Sequence, residues 1–246
     1  MGKHKTHRPD WLCWNVIRQA PFARHSDLKF RLEQFIEESP SVKFVHIGVN
    51  NGGDLLYQHW TDANMEGVLV EPQKSVFQRL QKNFGQHENL HFENAAIMDF
   101  SGVKTLYKAS DESRGWETTL ASFDRDLLEK QMNQNWFKKK KEEKSGERQA
   151  SHTIHEEEVT CLTLEDIVST RGWRDLDLLF IDAEGADGNI VLSISFDKIK
   201  VRFIYFESMH ISLPELYRVS RHLKKHGFSL YCSGEDTVAI HETGSE

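Results

Sequence analysis

The chain has 246 residues, enough for one large α/β domain or two small ones, and its 38% hydrophobic and 11% aromatic content supports a sizeable core. Its formal charge of -7, from 31 basic and 38 acidic side chains, favours solubility and speaks against a general polyanion binder. Cys13, Cys161 and Cys232 form neither a disulfide framework nor a structural zinc pattern, and no run approaches the roughly 20 apolar residues of a membrane span, so a cytoplasmic protein is expected.

In chain order, residues 1–40 read as an N-terminal arm followed by a helix, with Ser26 as its cap and Leu28, Leu32, Phe35 and Ile36 on one face. Residues 41–246 then read as a single domain. KFVHI at 43–47 is a strand, residues 54–61 a helix, and GVLVEP at 67–72 a second strand with its exit. SVFQRLQKNF at 75–84 is an amphipathic helix, and NLHFENAAI at 89–97 a third strand and its exit. This rhythm predicts βαβ units and a doubly wound, mainly parallel sheet. A short strand is expected at 103–108. From Asp111 the order breaks down, and residues 124–158 read as a polar, solvated insertion with charge blocks. VTCL at 159–162 resumes the pattern. Thr163 with Asp166 opens a helix as an N-cap pair. DLLFIDAEG at 177–185 and RFIYFES at 202–208 are further strands, Pro214 begins a helix stopped by Gly227, and FSLYCS with TVAIHE forms a terminal antiparallel pair.

The first loop, FVHIGVNNGGD, sets Gly48, Gly52 and Gly53 after an apolar strand. Such a loop is either a tight strand-to-helix turn or a place where a polar ligand meets backbone N–H groups, with Asn50 shaping it. It matches neither the P-loop nor the dinucleotide spacing. Glu71, at the end of the second strand, faces the same crevice in a doubly wound sheet and can accept hydrogen bonds from ribose hydroxyls. Glu93, Asn94 and Ala95 at the third strand's exit offer polar groups and space for an adenine ring. Asp182 and Glu184 follow one later strand, and Glu207 and His210 the next. These groups suit a base, a hydroxyl substrate or a divalent cation, although no metal is assigned.

The segments HIGVNNGGD, GVLVEP, LHFENAAI, CLTLEDI, FIDAEGAD and IYFES, in that order, resemble the FkbM-type methyltransferases, which use S-adenosylmethionine and have a class I fold. The resemblance implies a Rossmann-like, seven-stranded sheet with a terminal antiparallel hairpin. It also implies that the glycine loop surrounds the methionine part of the cofactor and Glu71 its ribose. Asp182, Glu184 and Glu207 are then expected near the methyl group and the acceptor, with His210 the base favoured by its intrinsic pKa. His46 stands where the family carries an acid, so it is placed beside the cofactor amine. The family implies O-methylation of carbohydrate or small natural-product hydroxyls. Two further readings stand beside it. One is an N- or nucleic-acid methyltransferase using Trp116, Trp136 and Phe137 beside lysines 138–141. The other is an inactive cofactor-binding interaction module.

Overall fold

The computed structural model describes residues 24–50, 55–110, 121–133, 153–183 and 185–241. Helix α1 (His25–Glu38) leads into strands β1 (Val42–Ile47) and β2 (Met65–Val70), then helix α2 (Lys74–Phe84) and strands β3 (Leu90–Glu93) and β4 (Ala96–Ile97). Strands β5 (Gly102–Ser110) and β6 (Ala121–Ser122) precede helix α3 (Arg125–Asn133), strand β7 (Thr153–Leu162) and helix α4 (Leu164–Thr170). The chain continues through β8 (Asp175–Ile181), α5 (Asp187–Ser193), β9 (Lys200–Glu207), α6 (Leu213–Lys225), β10 (Phe228–Cys232) and β11 (Asp236–His241).

The main sheet has seven strands in the order β10-β11-β9-β8-β1-β2-β3. β1 pairs in parallel with β2 and β8, β2 with β3, and β8 with β9, while β11 runs antiparallel to β9 and β10. The central strands are apolar on both faces because helices cover both. Leu164 and Ile167 of α4, Ile190 of α5 and Leu216 of α6 pack with Val45, Ile47, Leu179 and Ile181 on one side. Leu28, Leu32 and Ile36 of α1 join Phe44, Leu178 and Phe203 on the other. Each fully buried side chain of this size contributes about 1.5–3 kcal/mol. The chain runs from β1 outward to β3, then returns to lay β8 on the other flank of β1. That reversal opens a crevice beyond the carboxyl ends of β1 and β8, where ligands of such sheets bind.

Several boundaries differ from the sequence reading. The third strand divides in two: β3 joins the main sheet, whereas β4 joins a second sheet of order β4-β7-β5-β6. β7 begins at Thr153, well before the expected Val159, and pairs with β5 from Ser110↔Thr153 to Gly102↔Cys161. The polar stretch before Val159 is thus a strand whose side chains largely face solvent, and charged composition had concealed it. At the other flank of the expected insertion, residues 125–133 form α3. Only a 3-10 turn, Tyr57–His59, stands among the described residues of the expected helix at 54–61. Arg24 occupies the cap position of α1 in place of Ser26. The Thr163 cap forms as expected: its hydroxyl accepts the Asp166 N–H at 3.1 Å, and the Asp166 carboxylate accepts the Thr163 N–H at 2.9 Å. Among the described residues, no helix is long and apolar enough to cross a membrane.

Candidate active site

The exit of β1 is fixed by its neighbours. Gly48 N–H donates to Val70 at 3.0 Å, and Asp182 N–H donates to Ile47 at 3.0 Å. Gly48 has φ +79, and a Cβ built on it would lie 1.9 Å from the Asp182 carbonyl oxygen. Glycine is required there by both conformation and space. Asn50, two residues on, also has positive φ. Glu71 is buried at the end of β2, with one carboxylate oxygen accepting Asn50 N–H at 3.0 Å and the other Gln73 N–H at 2.8 Å. Burial raises its pKa to about 7, and the two backbone hydrogen bonds oppose that rise. Gly52 and Gly53 lie outside the described residues.

Other expected contacts separate into two groups. Ala95 lines the cleft. Asn94 instead donates its amide to the carbonyls of Glu71 and Pro72, at 2.8 and 3.0 Å, and so braces the β2 exit. The backbone carbonyl of Glu93 accepts the Glu71 N–H at 3.1 Å, which serves the same brace. His46 corrects the sequence reading. It is fully buried, packed against Trp60 and Phe180, and absent from the cleft wall. The Trp60 indole N–H donates to its Nδ1 at 3.1 Å, which fixes the Nε2–H tautomer. Among the described residues, this histidine packs in the core and outside the cleft wall.

At the end of β8, Asp182 is half-buried and lines the cleft. Asp187, at the start of α5, is fully buried. Its carboxylate accepts the N–H groups of Ala183 and Gly185 at 3.3 and 3.2 Å, tying down the segment after Asp182. Burial first, and the charge of Asp182 second, raise the Asp187 pKa to about 7. In the sequence, Asp187 stands out only as the last residue of FIDAEGAD. Its one signal was an acid at a helix start, where backbone N–H groups are unpaired. Glu184 lies outside the described residues. His210 Nε2 lies 3.7 Å from Glu207, and neither residue lines the cleft. His210 is exposed, with its Cβ 3.7 Å from where a Gly185 side chain would begin. The pair therefore flanks the β8 loop from outside.

The cleft itself measures about 750 Å³. One end is formed by Gly48, Asn50, Glu71, Ala95 and Asp182, at the carboxyl edge of the main sheet. The other extends to the second sheet and α5, with Phe100, Lys104, Phe123 and Asn189 in its wall. The first end fits a nucleoside joined to an amino acid: Glu71 supplies a buried acceptor, Ala95 leaves room for a flat ring, and Gly48 admits close backbone approach. The group of three metal-type ligands among the described residues, His25, Glu235 and Asp236, stands away from this wall.

The strand order, the antiparallel final hairpin and the cleft at the β1–β8 switch define a class I methyltransferase domain. A family model described as "Methyltransferase FkbM domain" matches residues 46–230, and the chain belongs to this family. It is an S-adenosylmethionine-dependent methyltransferase. No curated protein sequence matches the chain. Among solved structures, similarity extends to the METTL16 methyltransferase domain at 11% identity, covering 96% of this chain and 80% of that one with a TM-score of 0.49. A precorrin-6y C5,15-methyltransferase from Geobacter metallireducens GS-15 matches at 10% identity over 90% of this chain and 93% of that one, with a TM-score of 0.43. A SAM-dependent O-methyltransferase from Thermotoga maritima matches at 9% identity, over 97% and 73%, with a TM-score of 0.42.

Proposed function

We propose that this enzyme methylates a hydroxyl oxygen on a carbohydrate or small natural-product-like acceptor. The observation that carries the reading is a cleft-lining carboxylate, Asp182, beside the buried carboxylate Asp187. When bound, the cofactor supplies an electrophilic methyl carbon on a sulfonium. A hydroxyl needs to lose its proton to become a good nucleophile, whereas a neutral amine does not. Asp182 accepts that proton as the C–O bond forms and the methyl–sulfur bond breaks, the electron pair leaving with sulfur as a neutral thioether. Asp187 accepts the Ala183 and Gly185 N–H groups, and so fixes the backbone that follows Asp182 at the cleft wall. Gly48, Asn50, Glu71 and Ala95 hold the cofactor, with Glu71 at the ribose. Glu93 and Asn94 support that end through the backbone of the β2 exit. Orientation of the two reactants and exclusion of water supply much of the remaining catalysis.

His210 loses its place as favoured base because it stands outside the cleft wall. The residues invoked for nucleic acid, Trp116, Trp136, Phe137 and lysines 138–141, lie outside the described residues. The reading as an inactive module draws on His46 at the cofactor amine and on the long insertion, and the burial of His46 in the core weighs against it. Two buried thiols, Cys161 and Cys232, not joined in a disulfide, accord with a cytoplasmic setting.

The test is transfer of labelled methyl groups from S-adenosylmethionine to panels of glycosides, phenols and amines. Hydroxyl acceptors should be methylated. Asp182→Asn should lower kcat by roughly 100-fold or more, and His210→Ala should change it less than about threefold. Transfer confined to amines, or normal turnover by Asp182→Asn, would overturn the assignment.

A further inference from the structure

We propose that the acceptor carries an anionic group (a carboxylate or a phosphate) and that Lys104 and Arg218 hold it. This inference rests on the hydroxyl-transfer reading and adds the charge of the substrate to it.

Lys104 on β5 and Arg218 on α6 are the cations of the cleft wall among the described residues. They come from separate parts of the fold, the second sheet and the last helix. Neither forms an ion pair among the described residues, although Lys108, Arg125 and Arg202 pair with Glu157, Glu129 and Asp177. The Lys104 ammonium lies 5.1 Å from the centre of the Phe123 ring, itself part of the wall. That contact holds the ammonium near a residue of the wall and reduces the rotamer freedom lost on binding. Arg218 is one turn from Glu215, the carboxylate best placed on α6 to neutralise it. Glu215 is directed to α5 instead: its Oε1 lies 2.8 Å from where a side chain at Gly188 would begin.

The acids of the wall do not cancel this arrangement. Glu71 engages two backbone N–H groups, and Asp124 accepts the Leu127 N–H at 3.0 Å to cap α3. Asp182 belongs to the reacting end. Asp99 is exposed at the rim beside Phe100 and adds a negative charge there. Recognition therefore depends on contact with two particular cations, not on a positive field over the whole cleft. Phe100, 42% exposed where it lines the opening, gives an apolar surface for the face of a sugar or aromatic ring. The wall suits a ring bearing both a hydroxyl and a fixed negative charge. A guanidinium can bind either anion through paired N–H groups, while an ammonium contributes a compact charge.

The experiment compares methyl β-D-glucoside, methyl β-D-glucuronide and glucose 6-phosphate with the full-length enzyme. Binding is read by saturation-transfer NMR in the presence of S-adenosylhomocysteine, and methylation is followed separately. Calorimetry with S-adenosylhomocysteine alone verifies the cofactor end in every variant. At least one anionic sugar should bind roughly tenfold or more tightly than the neutral glucoside. The preferred member distinguishes carboxylate from phosphate. Lys104→Gln with Arg218→Gln should abolish the preference while leaving S-adenosylhomocysteine affinity within about twofold. Equal binding of all three sugars, no detectable binding of any, or a preference that survives the double substitution overturns the inference. Methyl transfer to the glucoside at the rate of the charged sugars would overturn it too, yet leave hydroxyl methylation standing.

Discussion

Replacing Glu71 tests the cofactor end most directly. Glu71→Ala would remove the acceptor for both Asn50 and Gln73 N–H groups, and unsatisfied buried donors cost about 1–3 kcal/mol each. A loss of affinity in that variant would therefore mix ribose recognition with collapse of the loop. Glu71→Gln is the sharper change, because one carbonyl oxygen remains as an acceptor and side-chain volume is kept. If the carboxylate makes charge-assisted bonds to the ribose, its removal should cost about 1.5–3 kcal/mol, or roughly 10–150-fold in Kd. The pKa near 7 adds a second signature in the unaltered enzyme. If the ionised carboxylate is the binding form, about one-tenth is competent at pH 6 and nine-tenths at pH 8. Affinity should then tighten roughly tenfold over that interval. Titration calorimetry with S-adenosylhomocysteine at both pH values, on both proteins, measures each effect. Glu71→Gln should also flatten the pH dependence. A well-folded Glu71→Gln protein with unchanged Kd and the same pH slope would refute the ribose assignment.

His46→Phe leaves the Trp60 indole N–H without its acceptor and should cost about 1–3 kcal/mol in urea unfolding, with cofactor affinity within about twofold. A large loss of affinity would return His46 to the cofactor site. Gly48→Ala forces a side chain into the Asp182 carbonyl and should cost about 3 kcal/mol or more, lowering Tm by roughly 10 °C. A melt unchanged from wild type would contradict the packing of β1 on β8. For Asp187, the folded pKa is raised from 3.8 to about 7, so the native state binds the proton more tightly than the unfolded chain. Its contribution to stability is fullest below pH 4 and is lost as pH rises toward 7, by roughly 4 kcal/mol at most. Asp187→Asn should therefore show a smaller fall in unfolding free energy than wild type between pH 5 and pH 8. Parallel slopes would count against a buried, proton-binding Asp187.

The main sheet was legible because its strands are short apolar runs bounded by polar turns. Leu178 to Ile181 and Phe203 to Phe206 are buried on both faces, which is the pattern of a parallel sheet. That same two-sided burial hid the placement of His46. In a strand with no solvent face, alternation does not reveal whether a polar side chain looks toward the ligand or into the core. Asp187 was hidden for a related reason. An acid after glycine and alanine reads as a solvated turn, and its burial depends on the N–H groups of Ala183 and Gly185 folding back over it. His155 to Glu158 resembled a loop because β7 pairs through backbone groups with β5, which charge composition does not report. Lys104 and Arg218 are far apart in sequence, and only the tertiary fold sets them on one wall.

The contact between Gly48 and the Asp182 carbonyl also constrains how this enzyme can diversify. One end of that contact belongs to the loop that receives the cofactor, and the other to the residue assigned to the acceptor's proton. A substitution at position 48 would push on the backbone of position 182, so changes at the two sites should be strongly epistatic. Among the described residues, the atoms nearest a side chain at Gly48 belong to Asp182 and Ala183, not to the acceptor wall on β5, α3 and α6. New substrates should therefore be reached by altering that wall, while the pair at the sheet edge is inherited as a unit.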